Sequence, residues 1–373
     1  MRVVLWNVPI LNVPLVENNF LVFCVFDNLI FLQGNEMKKG LFVLAGLALM
    51  GMSATGQVQA KQNVCVFDLL GKAGETFKIT EEWAIAAKGW QADIRLLSYQ
   101  DEAKAQNDFE AGKCDAVYMT SMRARKYNRF AGSIDAIGGV TSNHVAQKAI
   151  SFALDKRNKR RLLANVDNQN YEVAGILQFG LAYVFVHDRN LNTIEKAKGK
   201  KFAYLQYDIA QKEIVDSLEM VSVPSEISDF VKKFNSYQVD VIASPAYAYK
   251  PLEIERGISK GGAMFSFPVV NITGDLIIRP EKFPANFAAQ SREWYVDQLP
   301  RSFALVKRLE NGIPNKYKLN LPKEDEVRYQ KILREGRIRL TKQGVYDPIM
   351  MSVLKRARCT VERTSFECSL GGE

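Results

Sequence analysis

Apolar and polar positions alternate along the chain in patterns that predict helices and strands in turn. Two stretches, residues 102–121 and 226–247, share one pattern: an amphipathic helical segment ends in a Phe, and six residues later an Asp opens a short run of β-forming residues. The Phe and Asp pairs are Phe109 with Asp115 and Phe234 with Asp240. A helix that leads into a buried strand and then a polar loop is half of a βαβ unit. The two copies predict two α/β lobes that face each other.

The remaining periodicity completes these two lobes. Apolar runs typical of strands cover residues 62–69, 92–98, 180–187, 200–205, 239–243 and 263–278. Helical spacing covers residues 144–163, 209–219, 225–236, 281–310, 323–335 and 348–358. The predicted lobes are discontinuous in sequence: residues 61–182 with 272–300, and residues 183–271 with 301–358, the latter including a helical C-terminal region.

The amino-terminal sixty residues have a different character from the rest. Residues 37–60 carry Lys38 and Lys39, an apolar run and a small-residue end at Ala60, which is the pattern of a cleaved signal peptide. This pattern predicts a protein secreted into an oxidising compartment, the bacterial periplasm. Residues 1–36 are apolar but broken by Pro9 and Pro14, so we interpret them as an upstream extension from a misassigned start codon. The alternative is an unusual membrane-associated leader.

Composition and missing motifs exclude several classes of function. The chain of 373 residues has a net charge of +9, yet its basic residues are not interleaved with aromatic ones, so we expect no nucleic-acid partner. His144 and His187 are the only histidines, which argues against zinc sites and histidine-based catalysis. No nucleophile elbow, P-loop or dinucleotide fingerprint is present. We therefore expect neither an enzyme nor a bound cofactor.

The order of elements resembles a known family. Four short motifs carry the resemblance: FEAGKCD at 109–115, KGKKFAY at 198–204, PSEI at 224–227 and VDV at 239–241. The sequence resembles the periplasmic substrate-binding proteins of TRAP-type transporters over residues 61–320, and more broadly the type II periplasmic-binding fold. A closer resemblance is to the AdeT-type proteins of Acinetobacter, which carry an efflux-associated label. The resemblance implies an α/β fold of two lobes, with a ligand cleft between them and a helical C-terminal region.

The implied function is capture of a small polar solute, by a monomer, for a membrane transporter. The alternative is an accessory protein of an RND-type drug-efflux system linked to aminoglycoside resistance, and a periplasmic enzyme is less favoured. One position departs from the family. TRAP proteins place an arginine in the strand after the Gly-x-Lys motif, where it pairs with a substrate carboxylate, and here that position is about Ala203. A carboxylate ligand is therefore not expected unless Arg123 replaces this arginine.

Residues at the predicted strand ends are the candidate ligand contacts, because ligands of open α/β sheets bind outside the carboxyl ends of strands. They are Asp68, Gly71, Thr120, Ser121, Arg123, Tyr204, Gln206, Tyr207, Ser244 and Tyr247. This aromatic and polar set suits a polar or zwitterionic solute. The pairing of Asp68 decides the expected charge of the ligand. If Asp68 is unpaired, a cationic ligand is favoured, and if it pairs with Arg123, the cleft is closer to neutral.

Four cysteines follow the predicted cleavage site, and four cysteines allow three connectivities. In the inferred fold the strands that hold Cys65 and Cys114 are neighbours in one sheet. Cys359 and Cys368 lie nine residues apart across a turn-like segment. We therefore predict the pairs Cys65–Cys114 and Cys359–Cys368, with the second closing the tail at residues 359–373.

We predict that the secreted protein begins at Lys61. Amino-terminal sequencing of protein purified from the periplasm is expected to return the sequence KQNVC. Mature protein that retains any residue before Met37 would contradict the interpretation of residues 1–36.

Overall fold

The computed structural model describes residues 61–373, so the predictions for residues 1–36 and for the signal peptide at 37–60 lie outside it. The strands are β1 Gln62–Phe67, β2 Ile94–Tyr99, β3 Ala116–Thr120, β4 Leu163–Val166, β5 Gln169–Val186, β6 Lys201–Leu205, β7 Val221–Ser225, β8 Val241–Pro245, β9 Ala263–Ile278 and β10 Lys318–Leu319. The helices are α1 Glu75–Ala87, α2 Glu102–Glu110, α3 Ser121–Ala124, α4 Arg129–Gly132, α5 Asn143–Ala153, α6 Ile194–Ala197, α7 Ile209–Ser217, α8 Phe230–Asn235, α9 Ala246–Tyr249, α10 Glu255–Ile258, α11 Phe287–Asn311, α12 Lys323–Lys342 and α13 Pro348–Val361. Within this part of the chain, no helix combines the length and apolar character needed to cross a membrane.

One strand arrangement occurs twice in the sheet. The strand order is β2-β1-β3-β9-β5-β8-β6-β7. In the first half, β1 pairs in parallel with β2 and β3, and β3 pairs antiparallel with β9. In the second half, β6 pairs in parallel with β7 and β8, and β8 pairs antiparallel with β5. We call β1–β3 with α1 and α2 the first lobe, and β6–β8 with α7 and α8 the second lobe.

The repeated Asp has the same structural role in both lobes. The backbone N–H of Asn63 donates to a carboxylate oxygen of Asp115 at 2.9 Å, and the N–H of Asp115 donates back to the Asn63 carbonyl at 2.7 Å. Lys201 and Asp240 exchange the same two bonds, each at 2.8 Å. The carboxylate thus satisfies a backbone donor at the start of the neighbouring parallel strand, before the regular ladder begins. The repeated Asp in the sequence therefore aligns a pair of neighbouring parallel strands in the same way in each lobe.

Two long strands connect the lobes. β5 and β9 pair with each other along most of their length, and each also pairs with a strand of one lobe. Their pairing has register shifts, including those at Gln178/Gly180 and Ala182/Tyr183. Gly180 has φ of +127°, a backbone conformation that a side chain would strain. Such register shifts are typical of β-bulges, which bend a strand locally. The strands that connect the lobes are therefore bent near the middle of β5.

Two local predictions were wrong. The helix predicted over 144–163 ends at Ala153, and the chain then forms β4, which pairs antiparallel with β5. Asp167 and Asn168 make the turn with φ of 50° and 62°, the left-handed pair that a two-residue hairpin requires. The segment 225–236 is also only partly helical, since β7 takes Val221–Ser225 and α8 begins at Phe230.

Both predicted disulfides are confirmed. Cys65 of β1 bonds to Cys114, which lies two residues before β3, and Cys359 of α13 bonds to Cys368 in the tail.

Buried charges also hold the tail to the body, which the sequence analysis did not predict. Arg337 and Arg358 both pair with Glu367 and Glu373, and each of these four side chains is at most 5% exposed. Burial raises the pKa of Glu373, but attraction to Arg337, Arg358 and Arg334 together outweighs it and the pKa is lowered overall. Each arginine also donates to a backbone carbonyl: Arg337 to Ile137 at 2.8 Å and Arg358 to Gly139 at 2.6 Å.

A pair of carboxyl groups is buried under the centre of the sheet. The Ser121 hydroxyl donates to Asp275 of β9, and the Thr273 hydroxyl donates to Asp135 at 2.7 Å. The second oxygen of Asp275 has no hydrogen-bond partner among the described residues. Burial raises the pKa of Asp275 from 3.8 to about 7, and burial raises the pKa of Asp135 well above its usual range.

We predict that Asp275 makes the protein less stable as pH rises. Between about pH 4 and pH 7 the folded protein holds a proton on Asp275 that the unfolded chain releases, so the free energy of unfolding falls as pH rises through this window. The loss from pH 5 to pH 8 is roughly 2 to 3 kcal/mol. Asp275→Asn is expected to remove that part of the pH dependence in urea unfolding.

The exposed Asp297→Asn variant is the matched control, and it should keep the wild-type difference between pH 5 and pH 8. Equal pH dependence in the Asp275→Asn and wild-type proteins would contradict the assignment.

Candidate functional site

A cavity of about 160 Å³ lies where the two lobes meet. Phe67 and Thr120 border it from the ends of β1 and β3 in the first lobe, and Pro245 borders it from the end of β8. From there it extends into the second lobe, where Ile214 of α7 and Leu333 of α12 form its wall. The cavity therefore reaches the carboxyl ends of β1, β3 and β8, where ligands of such sheets bind, and continues along the second-lobe strands past Phe202 and Val241.

The wall of the cavity is apolar, which corrects the expected polar and aromatic lining. Within residues 61–373, no Asp, Glu, Lys, Arg or His lines it, and its polar side chains are Thr120, Gln211, Tyr247 and Tyr329. The rings of Phe179 and Tyr247 are stacked with centroids 5.3 Å apart and form part of this wall. Ala203, near where the resemblance to TRAP proteins implies an arginine, contributes only a methyl group. The strand ends reach the cavity, and β5, β9 and α7 also line it.

Arg123 is buried in a cluster that joins the lobes. Its Nε donates to Glu102 at 2.8 Å and its Nη1 to Gln106 at 2.9 Å, both in the first lobe. Its Nη2 donates at 2.6 Å to Glu226, which follows β7 of the second lobe. Burial lowers the pKa of Arg123, but attraction to Glu102, Tyr207 and Glu226 together outweighs it and the pKa is raised. Arg123 therefore stays charged, and each of its three nitrogens already has a partner.

Tyr207 completes this cluster from the second lobe. The Arg123 guanidinium lies 3.7 Å above the centre of the Tyr207 ring, and the Tyr207 hydroxyl donates to Glu102 at 3.2 Å. Burial, followed by the charge of Glu102, raises the pKa of Tyr207 well above its usual range, so the hydroxyl keeps its proton. We call Glu102, Arg123, Tyr207 and Glu226 the interlobe latch.

A second ion pair crosses between the lobes beside the latch. Arg125, which follows α3, donates to Asp208 at 2.9 Å, and Asp208 caps the start of α7. The side chains of Arg125 and Asp208 are 12% and 4% exposed, so water screens this pair only weakly. The lobes are thus in contact through two sets of buried charges.

Asp68 supports the local backbone, so neither case considered for it applies. It is 1% exposed, and its carboxylate accepts the backbone N–H groups of Leu70 at 2.8 Å and Phe77 at 3.2 Å. Arg123 pairs with Glu102 and Glu226 instead of Asp68. The charge of Asp68 contributes to the raised pKa of the neighbouring Tyr247, after burial itself.

The other candidate residues divide between the cavity, the latch and the interior. Thr120 and Tyr247 line the cavity, whereas Tyr207 and Arg123 belong to the latch, and exposed Gln206 donates to Glu226 at 2.8 Å. Four candidates lie elsewhere: Gly71 in the left-handed turn before α1, Ser121 beside Asp275, Tyr204 within β6, and buried Ser244 within β8. Their contact with a ligand stays a prediction.

Sequence reasoning missed Glu102 and Glu226, the two acids that neutralise Arg123. Both stand at the start of the repeated helical stretches, 102–121 and 226–247, so the repeat itself contained the signal. In the part of the chain that the structure covers, no cluster of three or more His, Cys, Asp or Glu side chains is placed to hold a metal ion.

Comparison with known proteins agrees with this architecture. The family model described as solute-binding protein AdeT 1/2 matches residues 73–373. The probable solute-binding protein AdeT1 of Acinetobacter baumannii is 38% identical over 308 residues, covering 83% of this chain and all of that protein.

Solved structures share the fold at much lower identity. A TRAP periplasmic solute-binding protein of Desulfovibrio salexigens, with bound orotic acid, aligns with a TM-score of 0.65 at 9% identity, covering 81% of this chain and 99% of that one. One from Ralstonia eutropha H16, with bound (S)-2-acetolactate, aligns with a TM-score of 0.64 at 13% identity and the same coverage. The chain has the two-lobed fold of TRAP solute-binding proteins, and it belongs to the AdeT 1/2 family of solute-binding proteins.

Proposed function

We propose that this protein is a periplasmic receptor that closes two lobes over a small solute and delivers it to a membrane transporter. The observation that carries the proposal is the combination of an internal cavity with charged contacts that close across the lobes beside it. Met122 and Ile227 line the cavity, and their chain neighbours Arg123 and Glu226 form the latch. Closing the latch therefore encloses the cavity, and a membrane partner can distinguish the closed form from the open one.

The cellular location and assembly state complete the proposal. The signal-peptide pattern of residues 37–60 and the two disulfides both fit an oxidising periplasm. The solved relatives with orotic acid and acetolactate support a small organic molecule as the solute. We expect a monomer, because one chain supplies both lobes and the whole cavity wall.

The efflux-accessory alternative has weaker support. Periplasmic adaptors of efflux pumps use long paired heptad helices. The longest helix here, α11, packs instead against β5 and α1, as a core helix does.

We predict that Glu226→Gln opens the lobes. The substitution keeps the shape of the side chain but removes the second-lobe charge from Arg123. Glu226 is 28% exposed, so we expect a loss of about 1 kcal/mol in closed-state stability rather than the larger loss of a fully buried pair. Small-angle scattering of the variant should give a larger radius of gyration than wild type.

Glu219→Gln is the matched control, because Glu219 pairs with exposed Lys198 on the outside of the second lobe. It should scatter as wild type does. A Glu226→Gln protein with unchanged scattering would refute the role of the latch.

We further predict that protein purified from the periplasm carries its solute. Native mass spectrometry should detect a species heavier than the mature chain by the mass of one small organic molecule, which denaturation releases. A protein that never carries such a molecule, and whose scattering does not change with any added solute, would contradict a receptor function.

A further inference from the structure

The cavity has a polar feature that its apolar wall does not explain. Thr120 Oγ1 and the Tyr247 hydroxyl both line the cavity, and neither has a well-formed hydrogen bond among the described residues, although Tyr207 lies near Thr120, and Thr76 and Asp68 lie near Tyr247. Thr120 is 5% exposed, so water cannot easily replace the missing partner. Burial raises the pKa of Tyr247 well above its usual range, so its hydroxyl keeps a proton to donate. Two neutral hydroxyl groups without a well-formed hydrogen bond thus lie on one apolar wall.

The other polar side chains of the wall differ from these two. Gln211 is satisfied, since its Nε2 donates to Met122 Sδ at 3.2 Å and its Oε1 accepts the Leu205 N–H at 3.1 Å. Tyr329 lies at the far end of the cavity, on α12, where its ring packs beside Phe267. The hydroxyls of Thr120 and Tyr247 are on the interlobe side, at the end of β3 and at the start of α9.

A charged ligand group would find no partner in this cavity. No ionisable acid or base of residues 61–373 lines it, apart from the tyrosine hydroxyls. Arg123, which follows the lining residue Met122, already serves Glu102, Gln106 and Glu226 and covers Tyr207 with its face. A carboxylate that left water for this wall would lose its hydration without gaining an ion pair, and such transfers are strongly unfavourable.

We propose that the cavity binds an uncharged, largely apolar small molecule that carries a hydroxyl or carbonyl oxygen, held by the hydroxyl groups of Thr120 and Tyr247. This inference rests on the proposed receptor function and names the class of its solute. The volume is appropriate, since a dry apolar cavity of about 150 Å³ binds benzene and this one has about 160 Å³. The apolar wall then holds the body of the ligand, and the two hydroxyls orient its oxygen.

The test uses three probes with one shape and different polarity: toluene, benzyl alcohol and benzoate, titrated by calorimetry into the mature protein after bound material has been removed. Benzyl alcohol is expected to bind at least about 10-fold more tightly than benzoate, because only the acid brings a charge into the cavity. Thr120→Val should weaken benzyl alcohol binding about fivefold, the effect of one hydrogen bond, and leave toluene binding unchanged.

Thr360→Val is the matched control, because the Thr360 hydroxyl bonds to a backbone carbonyl on the exposed face of α13. It should leave binding of all three probes unchanged. A second variant, Ala203→Arg, places a cation on the wall at the position where TRAP proteins have one, and it should reverse the preference to benzoate over benzyl alcohol. Its thermal unfolding midpoint shows whether it folds, and Thr120→Val tests the inference independently.

Two results overturn this inference: benzoate binding as tightly as benzyl alcohol, or no binding of benzyl alcohol and toluene. A co-purified molecule that carries a carboxylate also overturns it, yet leaves the receptor function standing. The receptor function itself fails only if no solute is carried and scattering never changes, so the two failures can be distinguished.

Discussion

Burial of the Arg123 charge is the constraint on which the arrangement of the two lobes depends. A guanidinium removed from water must be compensated by nearby acids, and Glu102 and Glu226 compensate it from opposite lobes. The buried charge of Arg123 is therefore fully compensated only while the two lobes are in contact. In a receptor for organic acids an arginine near the cleft would serve the ligand, whereas here it serves the closed state. The cavity behind it remains without a cation.

The sequence predicted the repeated architecture because that architecture depends on local chemistry. Asp115 and Asp240 each lie just before a run of β-forming residues, so neighbouring residues alone indicate where the two strands begin. Cys359 and Cys368 are only nine residues apart, so their pairing could also be predicted locally. The β4–β5 hairpin was missed because the helical charge run before it hid the turn at Asp167 and Asn168. The local periodicity of a sequence thus predicts that a helix or strand is present better than it predicts where that helix or strand ends.

The candidate site was harder to predict, because its partners come from distant parts of the chain. The predicted strand ends lead to Arg123 and Tyr207, which lie between the lobes. Glu226 lies 103 residues from Arg123, and although the repeat includes Glu226, it does not show that the two residues pair. Asp68 likewise was expected to face a ligand, and it binds backbone N–H groups of Leu70 and Phe77 instead. Apolar residues that line a cavity have the same spacing as those that fill a core, so the sequence could not distinguish the two.

Neither disulfide lies in the second lobe, so the two lobes differ in how they depend on oxidation. Cys65–Cys114 fastens the first lobe, and Cys359–Cys368 fastens the tail. The tail's Glu367 and Glu373 pair with the two arginines that hold the backbone at Ile137 and Gly139. Among the described residues, no cysteine belongs to β6, β7, β8 or the helices between them. Reduction would loosen one side of the molecule and leave the other as it was. The second lobe, which contributes Glu226 and part of the apolar wall, must therefore reach its fold without an oxidant.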